Sequence, residues 1–293
     1  MKAFQTGFGL ALALALTLPT PAQAGTFTIA DGDVNGLIAA LVAASGAAGS
    51  DEILLATNGN YVLTAADNTV GGPNGLPAIE DTVIIRGNGA TLRRATNAPN
   101  FRFFYVTGIQ GLTGNLTLDQ LVLTNGVAGQ GSVGGAVYNE GGVLTLQNGC
   151  QLVGNAADAG GGALSTFDGT VTVRDSRFEA NSTASFGGAI HVSGSKGSLT
   201  LSNCVVTGNN AANAGGAFYM FPDGGALAQF TDCTINANSA GEHGGGLASG
   251  IELRMTGCTI SSNITTVAGG RGGGLSHFSG DAALVNCTFS GNS

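Results

Sequence analysis

A knot of small residues followed by one apolar residue occurs six times between Gly134 and Leu275, and its copies recur every 26 to 29 residues. The knots read Gly134-Gly135-Ala136-Val137, Gly161-Gly162-Ala163-Leu164, Gly187-Gly188-Ala189-Ile190, Gly215-Gly216-Ala217-Phe218, Gly244-Gly245-Gly246-Leu247 and Gly272-Gly273-Gly274-Leu275. A repeat of that length cannot bury its own apolar face, so the copies must stack on one another as a solenoid.

Within each repeat, three short apolar alternations are separated by Gly, Asn or Asp, the pattern of strands broken by tight turns. The first is Val171-Thr172-Val173, Leu199-Thr200-Leu201 or Leu253-Arg254-Met255; the second follows at Cys204-Val205-Val206, Cys233-Thr234-Ile235, Cys258-Thr259-Ile260 and Cys287-Thr288-Phe289. The third is the knot itself. No repeat has room for a helix, and alternate strand residues can face one interior. The pattern predicts an all-β chain, a single-stranded parallel β-helix with one continuous core.

Asn155, Asn181, Asn209, Asn238, Asn263 and Asn292 each lie five residues after Cys150, Ser176, Cys204, Cys233, Cys258 and Cys287 respectively. At the strand spacing of about 4.8 Å, amides in register bond to one another along the stack, so these asparagines read as a structural ladder. All five cysteines occupy one rung position. In-register stacking keeps their Cβ atoms about 4.8 Å apart, too far for a disulfide, and the number is odd. They are expected to be buried free thiols.

The first residues carry Lys2, an apolar run Leu10 to Leu16 and the small-x-small end Ala22-Gln23-Ala24. This is the form of a secretory signal, with cleavage expected after Ala24 and a mature chain from Gly25 outside the cytoplasm. Residues 25–50 are read as an N-terminal cap whose Asp33 to Ala44 stretch has helical apolar spacing (Val34, Leu37, Ile38, Leu41, Val42). Residues 51–114 are read as less regular early coils, and 115–293 as the regular repeats. Ser293 falls before the knot that would complete its coil, so the chain is expected to be a piece of a longer one carrying a C-terminal anchor.

Ten basic residues stand against eighteen acidic ones, a net charge of −8, which argues against nucleic acid and anionic membrane surfaces as partners. No segment after the signal is long and apolar enough to span a bilayer as a helix. Gly reaches 51 residues without a third-residue period, which excludes collagen, and the interleaved Val, Leu, Ile and Phe exclude disorder.

Gly-Gly-Ala-apolar paired with Phe-x-x-Asn, here Phe178-Glu179-Ala180-Asn181 and Phe289-Ser290-Gly291-Asn292, resembles the repeats of the polymorphic outer-membrane protein family. Aliphatic variants run from Leu152 to Asn155, Val206 to Asn209, Ile235 to Asn238 and Ile260 to Asn263. The resemblance covers roughly residues 115 to 293. It implies a right-handed β-helix, a place on the cell surface or outside the cell, and an adhesin-like role toward a glycan or a host or cell-surface protein. The same coil serves polysaccharide-degrading enzymes of the pectate lyase type, so a lyase or glycoside hydrolase is the alternative.

Chemistry on such a scaffold needs clustered carboxylates. Asp175 and Asp232, each directly before the rung position, are about 10 Å apart if two coils separate them. Asn203 and Asn286 fill the same slot, which marks a turn position as readily as an acid site. Arg86, Arg93, Arg94 and Arg102 could hold carboxylates of an acidic glycan, or sit on the outside of early coils paired with Glu80, Asp81 or loop carbonyls. Alternation turns Tyr138, Ser165, His191, Tyr219, Ala248 and Ser276 outward, so Tyr138, His191 and Tyr219 form a partial aromatic stripe suited to a sugar or protein partner. His191, His243 and His277 have no ligand spacing, and no metal or cofactor is expected. Asp31-Gly32-Asp33-Val34-Asn35-Gly36 begins like a calcium loop, but its twelfth position is Val42, and helix capping by Asp31 or Asp33 explains the same residues.

Overall fold

Strands of consecutive coils pair in parallel throughout, which is the arrangement expected when each apolar alternation finds its continuation one repeat later. The computed structural model describes residues 24–45, 49–221 and 226–293, and winds a β-solenoid of about 9 turns. The segment read as a secretory signal lies outside the described residues except for Ala24.

Among the described residues, four sheets run along the solenoid. Sheet 1 has ten strands, from Thr26–Ile29 and Asp51–Leu55 through Thr170–Arg174 and Ser198–Ser202 to Ala282–Val285. Sheet 2 has nine, from Asn60–Leu63 through Arg177–Glu179 to Thr288–Ser290. Sheet 3 has six strands of two residues each, from Val127–Ala128 to Ile264–Thr265. Sheet 4 has seven, beginning at Phe104–Thr107 and continuing with Val137–Glu140, Leu164–Phe167, Ile190–Ser193, Phe218–Met220, Leu247–Ser249 and Leu275–His277.

The sequence pattern predicts three strands per coil, and the structure has a fourth in the regular coils. After its first strand, which follows Gly126, sheet 3 consists of the two residues after each ladder asparagine from Asn155 to Asn263, such as Ala156–Ala157 and Ser182–Thr183. Two residues are too few for an alternation to register in sequence. The early coils lack this strand, but Thr82–Arg86 pairs in register with Asn115–Asp119, so sheet 1 runs unbroken into the regular part.

Columns of like side chains fill the interior. Leu116, Leu144, Val171, Leu199, Ala228 and Leu253 stack in register from sheet 1, all buried. Leu123, Leu152, Phe178, Val206, Ile235 and Ile260 do the same from sheet 2. Where Phe218 and Phe230 enter, their rings meet edge to face at 4.9 Å, and the small Ala228 lies in the same coil.

The two knot glycines have separate reasons. The first takes a left-handed turn, with φ 67° at Gly134, 68° at Gly187 and 60° at Gly244. The second lies against the next coil: a Cβ on Gly188 would stand 2.1 Å from the carbonyl oxygen of Gly216, and one on Gly216 would stand 2.0 Å from that of Gly245.

Ladder asparagines are fully buried from Asn155 to Asn263. Each side-chain amide donates to the Oδ1 of the next, at 3.0 Å for Asn155 to Asn181 and 2.9 Å for Asn181 to Asn209 and Asn209 to Asn238. The row ends with Asn263 donating to Asn292 at 3.0 Å. The cysteines are free thiols; Cys150, Cys204, Cys233 and Cys258 are buried, and Cys287 is partly exposed in the last coil. Burial pushes the Cys150 thiol up to about 11, and the neighbouring thiols of Cys204 and Cys233 raise those of Cys233 and Cys258 in turn.

Helix α1, Val34–Ala44, packs Leu37, Ala40, Leu41 and Ala44 over the first coil. Asp33 caps it by accepting the Gly36 N–H at 2.8 Å, while Asp31 accepts the Asn60 N–H at 2.7 Å. Both acids of the calcium-like loop are thus bound to backbone. Val42, expected on the apolar face, is 58% exposed, because the buried stripe is completed by the alanines instead.

Candidate functional site

One outward-facing row runs along sheet 4, and register fixes its members as Tyr105, Tyr138, Ser165, His191, Tyr219, Ala248 and Ser276. Ser165, Ala248 and Ser276 are expected at the surface but are buried, since these small side chains lie beneath the surface that the neighbouring rings make. The rings gather into two groups on either side of Ser165.

The larger group centres on Tyr219. Its ring lies 5.5 Å from His191, 4.4 Å from Phe186 and 4.5 Å from Phe221, the last pair stacked at 28°. Phe221 continues to Phe278 at 5.3 Å, and Phe278 to His243 at 5.6 Å. Six rings from four coils therefore make one patch, with Phe278 the most exposed of them at 46%. Burial holds the His191 imidazole down at about 4, so it is neutral at physiological pH and behaves as another flat ring. Its Nδ1 has no partner.

The smaller group surrounds a buried cation. Arg102 is 1% exposed, donates from Nη1 to the carbonyl of Gly71 at 3.1 Å and stands over the Tyr138 ring at 5.2 Å. Burial lowers it to about 10, which leaves it charged at neutral pH. Tyr105 packs against Tyr138 at 5.7 Å and donates its hydroxyl to the Glu140 carboxylate. Glu140 adds the opposite charge beside Arg102 without a direct ion pair.

The four arginines read together in sequence are dispersed by the fold. Arg86 on sheet 1 pairs with Glu52 at 2.8 Å and Asp119 at 2.5 Å, not with Glu80 or Asp81. Arg93 on sheet 2 reaches Asn60 at 3.2 Å, and Arg94 ties the carbonyls of Asn125 and Ala98 at 2.8 and 2.5 Å. Arg102, expected on the outside of a coil, is enclosed with the tyrosines because the loop at Gly71 and Gly72 crosses over it.

Asp175 and Asp232 stand at the turn between sheets 1 and 2 with φ 50° and 53°, as do Asn203 and Asn286 at 52° and 53°. The slot selects residues that tolerate a left-handed backbone. Asp175 accepts the Asn203 side-chain N–H at 2.7 Å and lines an open hollow of about 280 Å³ with Gln151, Arg177 and Asn203. Among the described residues, no group of three His, Cys, Asp or Glu is placed to hold a metal ion.

Tyr105, Phe186, Phe221 and Phe278 escaped the sequence reading, and His243 entered it only as a histidine without ligand spacing. Phe186 and His243 each directly precede a knot, and Phe221 and Phe278 each lie two residues past the outward row. Those offsets carry the signal, hidden because the other coils fill the first slot with Val133, Gly160, Ala214 and Arg271, and the second with Glu140, Ser193 and Gly250 beside a third phenylalanine, Phe167. Comparison with known proteins returns no matching family model and no matching curated protein.

Proposed function

We propose that this chain is the exported arm of a cell-surface or extracellular protein, and that it binds an extended ligand, a glycan, along the outer face of sheet 4. The observation that carries this reading is the contiguous ring patch of Phe186, His191, Tyr219, Phe221, Phe278 and His243. A row of ring faces repeating at coil spacing suits the apolar faces of successive sugars, and a rigid solenoid orders no loop on binding. The repeat signature is the ground for placing it with the polymorphic outer-membrane proteins as an adhesin-like module. The signal-like N-terminus is the ground for export.

A polysaccharide lyase or hydrolase is the second reading, and the hollow at Asp175 is what favours it. Its acid is held by Asn203 and its nearest cation, Arg177, bonds Glu179 at 2.7 Å. Incubating residues 25–293 with polygalacturonate and alginate and following reducing ends and unsaturated uronate absorbance separates the two. Retention of polymer without product is expected; product release that Asp175→Asn abolishes would replace the binding reading by the enzymatic one.

A further inference from the structure

Asp51 is a buried carboxylate with half of its partners missing. It is 1% exposed at the head of its sheet 1 strand, its Oδ1 accepts the Gly25 N–H at 2.6 Å, and its Oδ2 is buried without a partner. The strand Thr26–Ile29 runs beside it, and the Glu52 N–H donates to the Gly25 carbonyl at 2.9 Å, so Gly25 is held in place from both sides. One neutral amide is a poor counterpart for a carboxylate removed from water.

The small-x-small end Ala22-Gln23-Ala24 puts the expected signal cleavage at the bond whose nitrogen faces Asp51. Ala24 is exposed, as a peptidase requires, whereas Gly25 is partly buried. Hydrolysis there adds water across the Ala24–Gly25 amide: the Ala24 carbonyl leaves as a carboxylate, and the Gly25 nitrogen takes up a proton to become an α-ammonium. The nitrogen that offered Asp51 one N–H then offers three and a positive charge. A side chain at position 25 would crowd this approach, since its Cβ would lie 3.1 Å from the Phe27 ring and 3.3 Å from Asp51 Oδ1.

We propose that cleavage after Ala24 is a maturation step that completes the first coil, the new Gly25 ammonium closing a buried ion pair on both oxygens of Asp51. The proposal rests on the export reading for the cleavage itself and on the Gly25–Asp51 geometry for its effect. Processed chain is therefore more stable than chain that retains even one residue before Gly25, and the gain requires the Asp51 carboxylate.

The test compares residues 25–293 released by a tag protease that leaves Gly25 first, the same chain beginning at Ala24, and Asp51→Asn in each background. The unfolding constant of the Gly25-first chain is expected to be about 10- to 100-fold lower than that of the Ala24-first chain. Asp51→Asn should erase that difference. Amine acylation at pH 8 gives a readout should Asp51→Asn fail to fold: the Gly25 amine should react at least about tenfold more slowly in native than in urea-unfolded chain, being protonated and enclosed. Equal stability of the two starts, or equal labelling of native and unfolded amine, overturns the ion pair. Mass spectrometry of the exported protein tests the other half, and an N-terminus other than Gly25 overturns the maturation step whatever the stability of the engineered chains.

Discussion

Asn181 and Asn209, one coil apart, are joined twice: the Oδ1 of Asn209 accepts the backbone N–H of Asn181 and its side-chain N–H, both at 2.9 Å. Asn209 in turn donates to Asn238 at 2.9 Å and to the Phe178 carbonyl at 3.2 Å. The amide is a link in a chain of bonds buried along the solenoid, so removing one link takes the acceptor from two donors on Asn181 and one donor from the Oδ1 of Asn238. Asn209→Ala is expected to lower stability by roughly 2 to 5 kcal/mol, since two buried donors lose their acceptor. Denaturant unfolding measures it, and a loss under 1 kcal/mol would mean that water replaces the ladder.

The close approach of the second knot glycine gives a steric prediction. Gly188→Ala sets a methyl 2.1 Å from the Gly216 carbonyl oxygen and 2.7 Å from the Asn210 nitrogen, both of them backbone that cannot rotate away. A cost of about 3 kcal/mol or more is expected. Gly111→Ala serves as the control, with φ 86° and nothing within 4 Å, and should cost only about 1 kcal/mol of backbone strain. Similar thermal midpoints for the two variants would contradict the packing argument.

Some coils use a residue where others use glycine. Ala180 and Ala237 sit at φ 53° in the slot that Gly154, Gly208 and Gly291 fill at 61° to 64°. The left-handed backbone costs alanine about 1 to 2 kcal/mol, and glycine's extra freedom in the unfolded chain returns about 0.5 to 1. Ala180→Gly is therefore expected to stabilise by up to about 1 kcal/mol. Destabilisation would mean that the methyl contributes packing that outweighs the strain.

His191 makes stability fall with acid. Its folded value near 4 lies below the ordinary one of about 6.5, so between those limits the unfolded chain binds a proton that the folded chain refuses. Stability is level above about pH 6.5 on this account and declines toward pH 4, by about 1 to 3 kcal/mol after allowance for the ring's partial exposure. His191→Phe should remove that part of the slope and keep the ring patch. Parallel pH profiles for variant and native protein would show that the imidazole is not desolvated.

Much of the fold was legible because a solenoid writes the same instruction many times. The asparagine interval, the knot and the cysteine rung each repeat, and the structure places all three in register. Sheet 3 was not legible, because two residues such as Ser182 and Thr183 carry no period. The ring patch was half legible. Tyr138, His191 and Tyr219 share an offset from their knots, whereas Phe221 and Phe278 share theirs with Glu140, Phe167 and Ser193, a mixed set that stands out only once register is known. Arg102 misled for a different reason, since the loop that covers it lies about thirty residues earlier and local sequence cannot show a long-range crossing.

Affinity electrophoresis of residues 25–293 through gels containing neutral and acidic polysaccharides tests the binding face most directly, with Tyr219→Ala and Phe221→Ala run beside the native chain. Native protein is expected to be retarded by at least one polymer. Each variant should lose about 1 kcal/mol or more of that binding while keeping its β circular dichroism. Retardation that both variants retain in full would place the ligand elsewhere on the solenoid and contradict the account.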